Sequence, residues 1–375
     1  MAGIYIHIPF CSQACYYCDF HFSTSLKTEN RVIRSINKDL VIQKKYLKSQ
    51  LIETVYFGGG TPSLIDVSSL TSIMKTIRNN FKLTTKAEVT IEANPEDIQK
   101  KKLLNWIEIG FNRISLGAQS LRNQDLEYMN RAHSAKQVQR AIEVIQNSKI
   151  NNLSVDLIYG YPTLNNDAWI NNLNQLIELN IPHISCYCMT IEPETPLYFF
   201  IKKGKYPKLN SNTGKEQFLI ARKLLLASGY NHYEISNFSK AGHESRHNQN
   251  YWNKTHYLGV GPSAHSFNGK SRRWNIKNNI KYCEKIENNV GYSETERLTK
   301  KNIINEYILT SLRTSEGLDV DFFLTQMSKK EFRVFNSQIK TLQKSKLINH
   351  INHKIYLTEK GMLLADSISE DLFLI

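Results

Sequence analysis

Three cysteines, Cys11, Cys15 and Cys18, fall inside eight residues near the amino end of this 375-residue chain. Thiolates spaced by two or three residues in one loop can converge on a single metal centre. Two centres fit the spacing. A [4Fe–4S] cluster held by three cysteines leaves one iron open, and an open coordination position suits chemistry rather than scaffolding. A structural zinc would need a fourth ligand, for which His7, Asp19 and His21 are available. The remaining cysteines carry less. Cys186 and Cys188 sit two apart in a strand-like run and Cys283 stands alone, and all three read as small buried or isolated thiols. Six cysteines in this length are far too few for a disulfide scaffold.

Two further features have chemical potential. Gly58-Gly59-Gly60-Thr61-Pro62 closes a strand-like run but lacks the Gly-Lys-Ser/Thr of a phosphate loop. Glycines there let backbone approach a ligand closely, or simply make a tight turn. Asp156 lies inside the apolar run 153–159, where a carboxylate is costly to bury without a partner; it is functional or ion-paired.

These residues must be positioned by regular elements. Short apolar runs at 4–8, 54–57, 88–92, 113–117, 153–159 and 183–189 read as strands. One-sided apolar stripes mark helices at 30–47, after Asp66, from Asn94-Pro95 to Gly110, at 135–146 and at 168–179. Six strand–helix units imply a parallel sheet with right-handed crossovers. The fold class is therefore α/β. Six units are too few for a closed eight-stranded barrel and suit an open, partial (β/α)6 TIM-like barrel. Every unusual cluster lies late in a strand or just after one, at the rim where such folds build their sites.

Three regions follow: residues 1–200 as the partial barrel, 201–295 as a central extension, and 296–375 as a helical, winged-helix-like domain. The extension has weak periodicity, with a helix near 214–228 and then a loop rich in Asn, His and aromatic residues. In the last region, Ile303, Ile304, Tyr307, Ile308 and Leu312 form a helix stripe. Ser328-Lys329-Lys330-Glu331 is a capping-box pattern. Runs at 347–351 and 355–357 flank Asn352-His353-Lys354 as a hairpin would, and a final helix follows Thr358.

Composition is that of an ordinary globular protein, 41% hydrophobic and 22% charged, which excludes wholesale disorder. Lys and Arg number 48 against 34 Asp and Glu, a net charge of +14. Such an excess favours anionic partners, yet the lysines are scattered and, in the last region, mixed with acids. A nucleic-acid partner is thus not favoured, while contact with a membrane surface stays open. No apolar run approaches the roughly 20 residues of a bilayer span, and the first residues lack a signal-peptide pattern. The expected location is the cytoplasm.

Ile8-Pro9-Phe10-Cys11-x3-Cys15-x2-Cys18 resembles the signature of the radical S-adenosylmethionine (SAM) superfamily. His7-Ile8-Pro9-Phe10-Cys11 and Tyr17-Cys18-Asp19-Phe20 resemble the anaerobic coproporphyrinogen-III oxidase family, and within it the heme chaperone branch. The resemblance covers nearly the whole chain. It implies that Cys11, Cys15 and Cys18 hold a [4Fe–4S] cluster whose fourth iron is chelated by the amino and carboxylate groups of SAM. It further implies that Gly59, Gly60 and Thr61 receive the methionine end of SAM. By the same resemblance Glu92 accepts hydrogen bonds from ribose hydroxyls, and Gln119, Arg131 and Asp156 contact SAM. Without the resemblance Glu92 reads as a surface carboxylate. Tyr5 and Tyr17 match further ligand-contacting positions, with ordinary packing as the alternative.

Two departures from the oxidising members bear on activity. They carry a further cysteine two residues after the third cluster cysteine, where this chain has Phe20, and an extension before the signature for which Cys11 leaves no room. Both argue against oxygen-independent coproporphyrinogen III dehydrogenation, the alternative activity. Ser245-Arg246-His247-Asn248-Gln249-Asn250-Tyr251-Trp252 resembles the His-Asn-x-x-Tyr-Trp segment of the heme chaperone branch. There His247 would ligate heme iron while the aromatic rings pack on the porphyrin; His265 is a weaker second candidate. The implied function is binding heme and passing it to acceptor proteins, with the cluster and SAM accessory or regulatory.

Overall fold

The structure is a computed structural model that describes residues 1–374. In chain order it runs β1 (Ala2–Ile8), α1 (Glu29–Ile42), β2 (Ile52–Gly59), α2 (Val67–Asn80), β3 (Leu83–Ala93), α3 (Lys100–Ile109), β4 (Arg113–Gln119), α4 (Asn123–Tyr128), α5 (Ala135–Gln146), β5 (Asn152–Tyr159), α6 (Asn166–Glu178) and β6 (His183–Cys188). Then come α7 (Pro196–Lys202), α8 (Ser211–Ala227), β7 (Asn231–Glu234), β8 (Asn237–Ser239), α9 (Arg246–Trp252), β9 (His256–Val260), β10 (His265–Phe267), β11 (Ser271–Asn275), α10 (Asn279–Glu287) and β12 (Ser293–Arg297). The last region holds α11 (Lys300–Leu312), β13 (Leu318–Asp319), α12 (Val320–Gln326), α13 (Lys329–Lys344), β14 (Ile348–Ile351), β15 (Lys354–Leu357), α14 (Glu359–Met362) and α15 (Ala365–Asp371).

Strands β1 to β6 are parallel neighbours in sequence order, and the sheet is open, as six units require. Alternate residues divide two environments. One set, such as Ile4, Ile6, Val55, Phe57, Ile91 and Val155, is buried with the helix stripes of α1 and α2. The other set, including Tyr5, Tyr56, Glu92, Ser115, Asp156 and His183, faces the inside of the curved sheet and is unusually polar. Several of these polar groups partner one another, as Ser115 and Ser154 do with Asp156 and as His183 does with Ser154.

The stretch 201–295 does more than loop. Its strands extend both edges of the same sheet: β9 lies parallel beside β1 and leads to β10, β11 and β12, while β8 and β7 lie beyond β6. These strands are three to five residues long, too short to show alternation. Helix α9 sits against the starts of β1 to β3: the Arg246 and His247 amides donate to the Glu88 carboxylate at 3.1 and 3.0 Å. Another difference lies at Asn94-Pro95, where a helix start was expected. Pro95–Asp97 forms a single 3₁₀ turn and α3 begins only at Lys100, ending as expected at left-handed Gly110 (φ +107°).

Residues of α11 to α15 form a second hydrophobic core around Ile308, Phe323, Phe335, Ile339 and Ile355. The capping box is present in both directions, Glu331 N–H to Ser328 Oγ at 3.3 Å and Ser328 N–H to Glu331 Oε2 at 2.7 Å. The β14–β15 hairpin turns at Asn352 and His353, whose φ angles of +48° and +64° fit a type I′ turn. Strand β13, between α11 and α12, pairs with β15 to complete a three-stranded sheet, and these helices with the hairpin give the winged-helix-like form. Among the described residues no helix is long and apolar enough to cross a membrane.

Candidate functional site

At the carboxyl-terminal ends of β2 to β6 the curved sheet opens into a cavity of about 480 Å³. That lies within the roughly 300–1,000 Å³ usual for small-molecule sites. Cys11, Cys15, Cys18, Tyr17, Gly59, Gly60, Thr61, Glu92, Gln119, Arg131 and Asp156 all line it. Elements far apart in sequence thus bring all but two of the expected site residues to one place.

The cysteine loop is held at its base and crown. Ser23 N–H donates to the Pro9 carbonyl at 2.9 Å and Cys11 N–H to the Ser23 carbonyl at 3.1 Å, closing the base. At the crown, Tyr16 N–H reaches the Met129 carbonyl (3.2 Å), and Asn130 Nδ2 the Ala14 carbonyl (2.8 Å). The end of β2 fits against this loop because Gly60 has no side chain: a Cβ there would stand 2.6 Å from the Phe10 carbonyl oxygen. Its neighbour Gly59 has φ +109°, a conformation natural only to glycine.

Two donors reach the sulfurs: Thr61 Oγ1 to Cys11 Sγ at 3.5 Å and Arg131 Nη1 to Cys15 Sγ at 3.3 Å. Burial nonetheless pushes the Cys11 thiol up to about 11 and that of Cys18 up to about 12. Ligation of a metal centre therefore has to displace protons from them. Among the described residues no group of three or more His, Cys, Asp or Glu is gathered as for a single ion. A cluster distributes its cysteines over different irons, an arrangement that three cysteines on one loop can meet. Two of the three candidate zinc ligands are also engaged elsewhere: His7 Nε2 pairs with the His21 carbonyl (2.9 Å), and His21 Nε2 with Asn279 Oδ1 (2.8 Å).

Across the cavity stand two half-buried carboxylates. Glu92 Oε1 accepts from Tyr56 OH at 2.8 Å and Oε2 from Gly59 N–H at 3.1 Å. Burial pushes it up to about 7, aided by nearby Asp156 and opposed by those hydrogen bonds. Asp156 accepts from Ser115 Oγ (3.0 Å) and Ser154 Oγ (3.2 Å), and burial raises it too. Both are poised to accept hydrogen bonds from hydroxyl or ammonium donors of a ligand. Arg131 is fixed by Asn94 Oδ1 (2.7 Å) and the Gly117 carbonyl (2.9 Å), with its buried Nε unpartnered. Gln119 has φ +67°, rare for a residue with a side chain, at an irregularity that ends β4 in the cavity wall. Glycine-bounded space, half-buried acceptors and a soft-ligand trio together fit a cluster with SAM.

Two expected residues lie elsewhere. Tyr5 is beneath the cavity, its hydroxyl on His7 Nδ1 (3.1 Å) and its ring 6.1 Å from that of Tyr56. His247 is buried at the opposite end of the barrel interior, with Nδ1 on Thr54 Oγ1 (2.8 Å) and Nε2 on Tyr251 OH (3.0 Å). The second heme candidate, His265, is exposed on β10, stacked on Trp274. Sequence reasoning missed Tyr56, Asn94, Ser115 and Tyr187 as parts of the site. Tyr56 had a signal: two residues before Gly58, it shares that strand's inner face. Phe20 lies at the cavity, 66% exposed, with Tyr187 41% exposed on the opposite wall.

The description of the Radical SAM superfamily matches residues 5–190, and that of the HemN C-terminal domain residues 298–364. Fold and site thus place the chain in the radical SAM class. The heme chaperone HemW of Bacillus subtilis (strain 168) is 30% identical over 371 residues, covering 98% of each chain. The protein of that name from Buchnera aphidicola subsp. Schizaphis graminum is 37% identical over 266 residues, 70% of this chain and 69% of the relative. A solved structure of coproporphyrinogen III oxidase (HemN) from Escherichia coli covers 99% of this chain and 90% of its own with a TM-score of 0.84. At 23% identity that likeness concerns the fold. The chain belongs to the heme chaperone HemW family of radical SAM proteins.

Proposed function

We propose that this protein is a cytoplasmic heme chaperone that binds heme and passes it to acceptor proteins. It carries a [4Fe–4S] cluster on Cys11, Cys15 and Cys18, with SAM on the open iron. Membership of the family supports the heme role. The observation that carries the site reading is the convergence of the three cysteines with Glu92, Gln119, Arg131 and Asp156 on one rim cavity.

A bound cluster, once reduced by an external one-electron donor, would supply an electron to the sulfonium of SAM. The protein's own part is positioning. Thr61 and Arg131 offset the charge on the Cys11 and Cys15 sulfurs, since a donor or cation beside a thiolate stabilises it. Gly59 and Gly60 admit the methionine end. Glu92 takes the ribose hydroxyls, and Asp156, Gln119 and Tyr17 complete the wall. Phe20 supplies no thiol where the oxidising members resembled by this chain carry one, which weighs against dehydrogenation of coproporphyrinogen III. Its exposed ring, with Tyr187, instead offers apolar surface at the mouth.

Hemin added to anaerobically purified, cluster-reconstituted protein tests the reading. We expect a bound-heme absorption band that decays when an apo heme-binding protein is added, and no protoporphyrinogen from coproporphyrinogen and SAM. Robust protoporphyrinogen formation would replace the chaperone with the dehydrogenase.

A further inference from the structure

We infer that His247 is a positioning residue behind the SAM site, acting through Tyr56 on Glu92, and is not a heme ligand. The inference rests on the SAM reading of the rim cavity given above.

The His247 ring is buried and lies against Tyr56, ring centres 5.0 Å apart and planes 23° apart. Tyr5 lies beside both rings, 6.1 Å from Tyr56 and 6.4 Å from His247. Tyr56 in turn donates its hydroxyl to Glu92 Oε1. A continuous column therefore runs from the floor of the barrel to the carboxylate in the cavity.

The floor itself is firmly held. Thr54 Oγ1 accepts from Asn250 Nδ2 at 3.1 Å and also pairs with His247 Nδ1 at 2.8 Å, and Tyr251 OH pairs with Nε2 at 3.0 Å. Both nitrogens are thus engaged, leaving none for iron. Burial also lowers this imidazole to about 3, so it stays neutral. Glu88 fixes the start of α9, and Arg313 of the last region lies over the Trp252 ring at 5.5 Å. Removing the imidazole would leave a void under Tyr56 and release the tilt of its ring, hence the place of Glu92.

Three variants of the full, cluster-reconstituted chain test this by SAM titration and by the hemin absorption band. H247A is expected to weaken SAM binding about tenfold, as loss of a supporting partner typically does. H247Q, whose planar amide can lie on Tyr56 and meet Tyr251, is expected to stay within about twofold of the parent. Y56F, which keeps the stack but loses the hydroxyl, should weaken SAM about tenfold. All three should keep the parent hemin band. Parent-like SAM affinity in H247A, failure of H247Q to restore it, or loss of the hemin band in both His247 variants would overturn the inference. If H247A does not fold, parent-like SAM affinity in Y56F overturns it. A parent protein that itself fails to bind SAM would strike the underlying cavity reading instead.

Discussion

Glu92 sits in the cavity with two hydrogen-bond donors and no cation, so burial keeps its proton on up to about pH 7. In the unfolded chain the proton leaves near the ordinary 4.5. The folded state therefore binds more protons between those values, and this group lowers stability as pH rises from about 4.5 to about 7. Ribose hydroxyls donating to the carboxylate would favour the opposite state. SAM affinity of the reconstituted protein should thus rise by up to about tenfold from roughly pH 6 to pH 8, and E92Q should flatten the rise. Titration calorimetry across that range decides it; a flat profile in the parent would remove Glu92 from the ligand. The cysteine trio and the glycine run were legible because their spacing is local. Tyr56 shares the strand face of Gly58, but an aromatic residue in a strand reads as core until its partner, 36 positions away, is known.

At the level of elements, the end of β2 and the cysteine loop meet through Gly60. G60A brings a methyl group to 2.6 Å from the Phe10 carbonyl, a backbone atom that cannot swing aside. It should cost about 1–3 kcal/mol of stability and loosen the cluster, seen as faster bleaching of its visible absorption in air. Stability and bleaching both equal to the parent would show that the loop and β2 are not locked together. The six parallel strands were readable because apolar runs and intervening helix stripes are long. Helix α9 and strands β7 to β12 were not, because each spans a few residues and draws its contacts from distant ones. His247 shows this most clearly: Tyr251 is four residues further along the chain, but Thr54 lies 193 residues away. The expected helix start at Pro95 failed because a single 3₁₀ turn absorbed the Asn-Pro signal before Lys100.

Over the whole molecule, the last region docks on the underside of the barrel. Ile235 N–H donates to the Arg313 carbonyl at 3.0 Å, and Lys254 Nζ lies 4.0 Å from the centre of the Tyr307 ring and 4.3 Å from that of Phe322. Burial there lowers the Lys254 ammonium to about 8, with Glu306 opposing. K254E would set a carboxylate against two ring faces that prefer a cation. Differential scanning calorimetry should then resolve two unfolding transitions in place of one; a single transition at the parent temperature would show that this contact does not couple the two cores. The net charge of +14 comes from lysines and arginines scattered along the chain. Every role assigned to the cavity residues depends on the metal centre. Iron, zinc and acid-labile sulfide should be measured on oxygen-free preparations of the parent and of C15A. We predict about four irons and four sulfides per parent chain, little zinc, and loss of the iron and sulfide in C15A; stoichiometric zinc with no sulfide in the parent would contradict it.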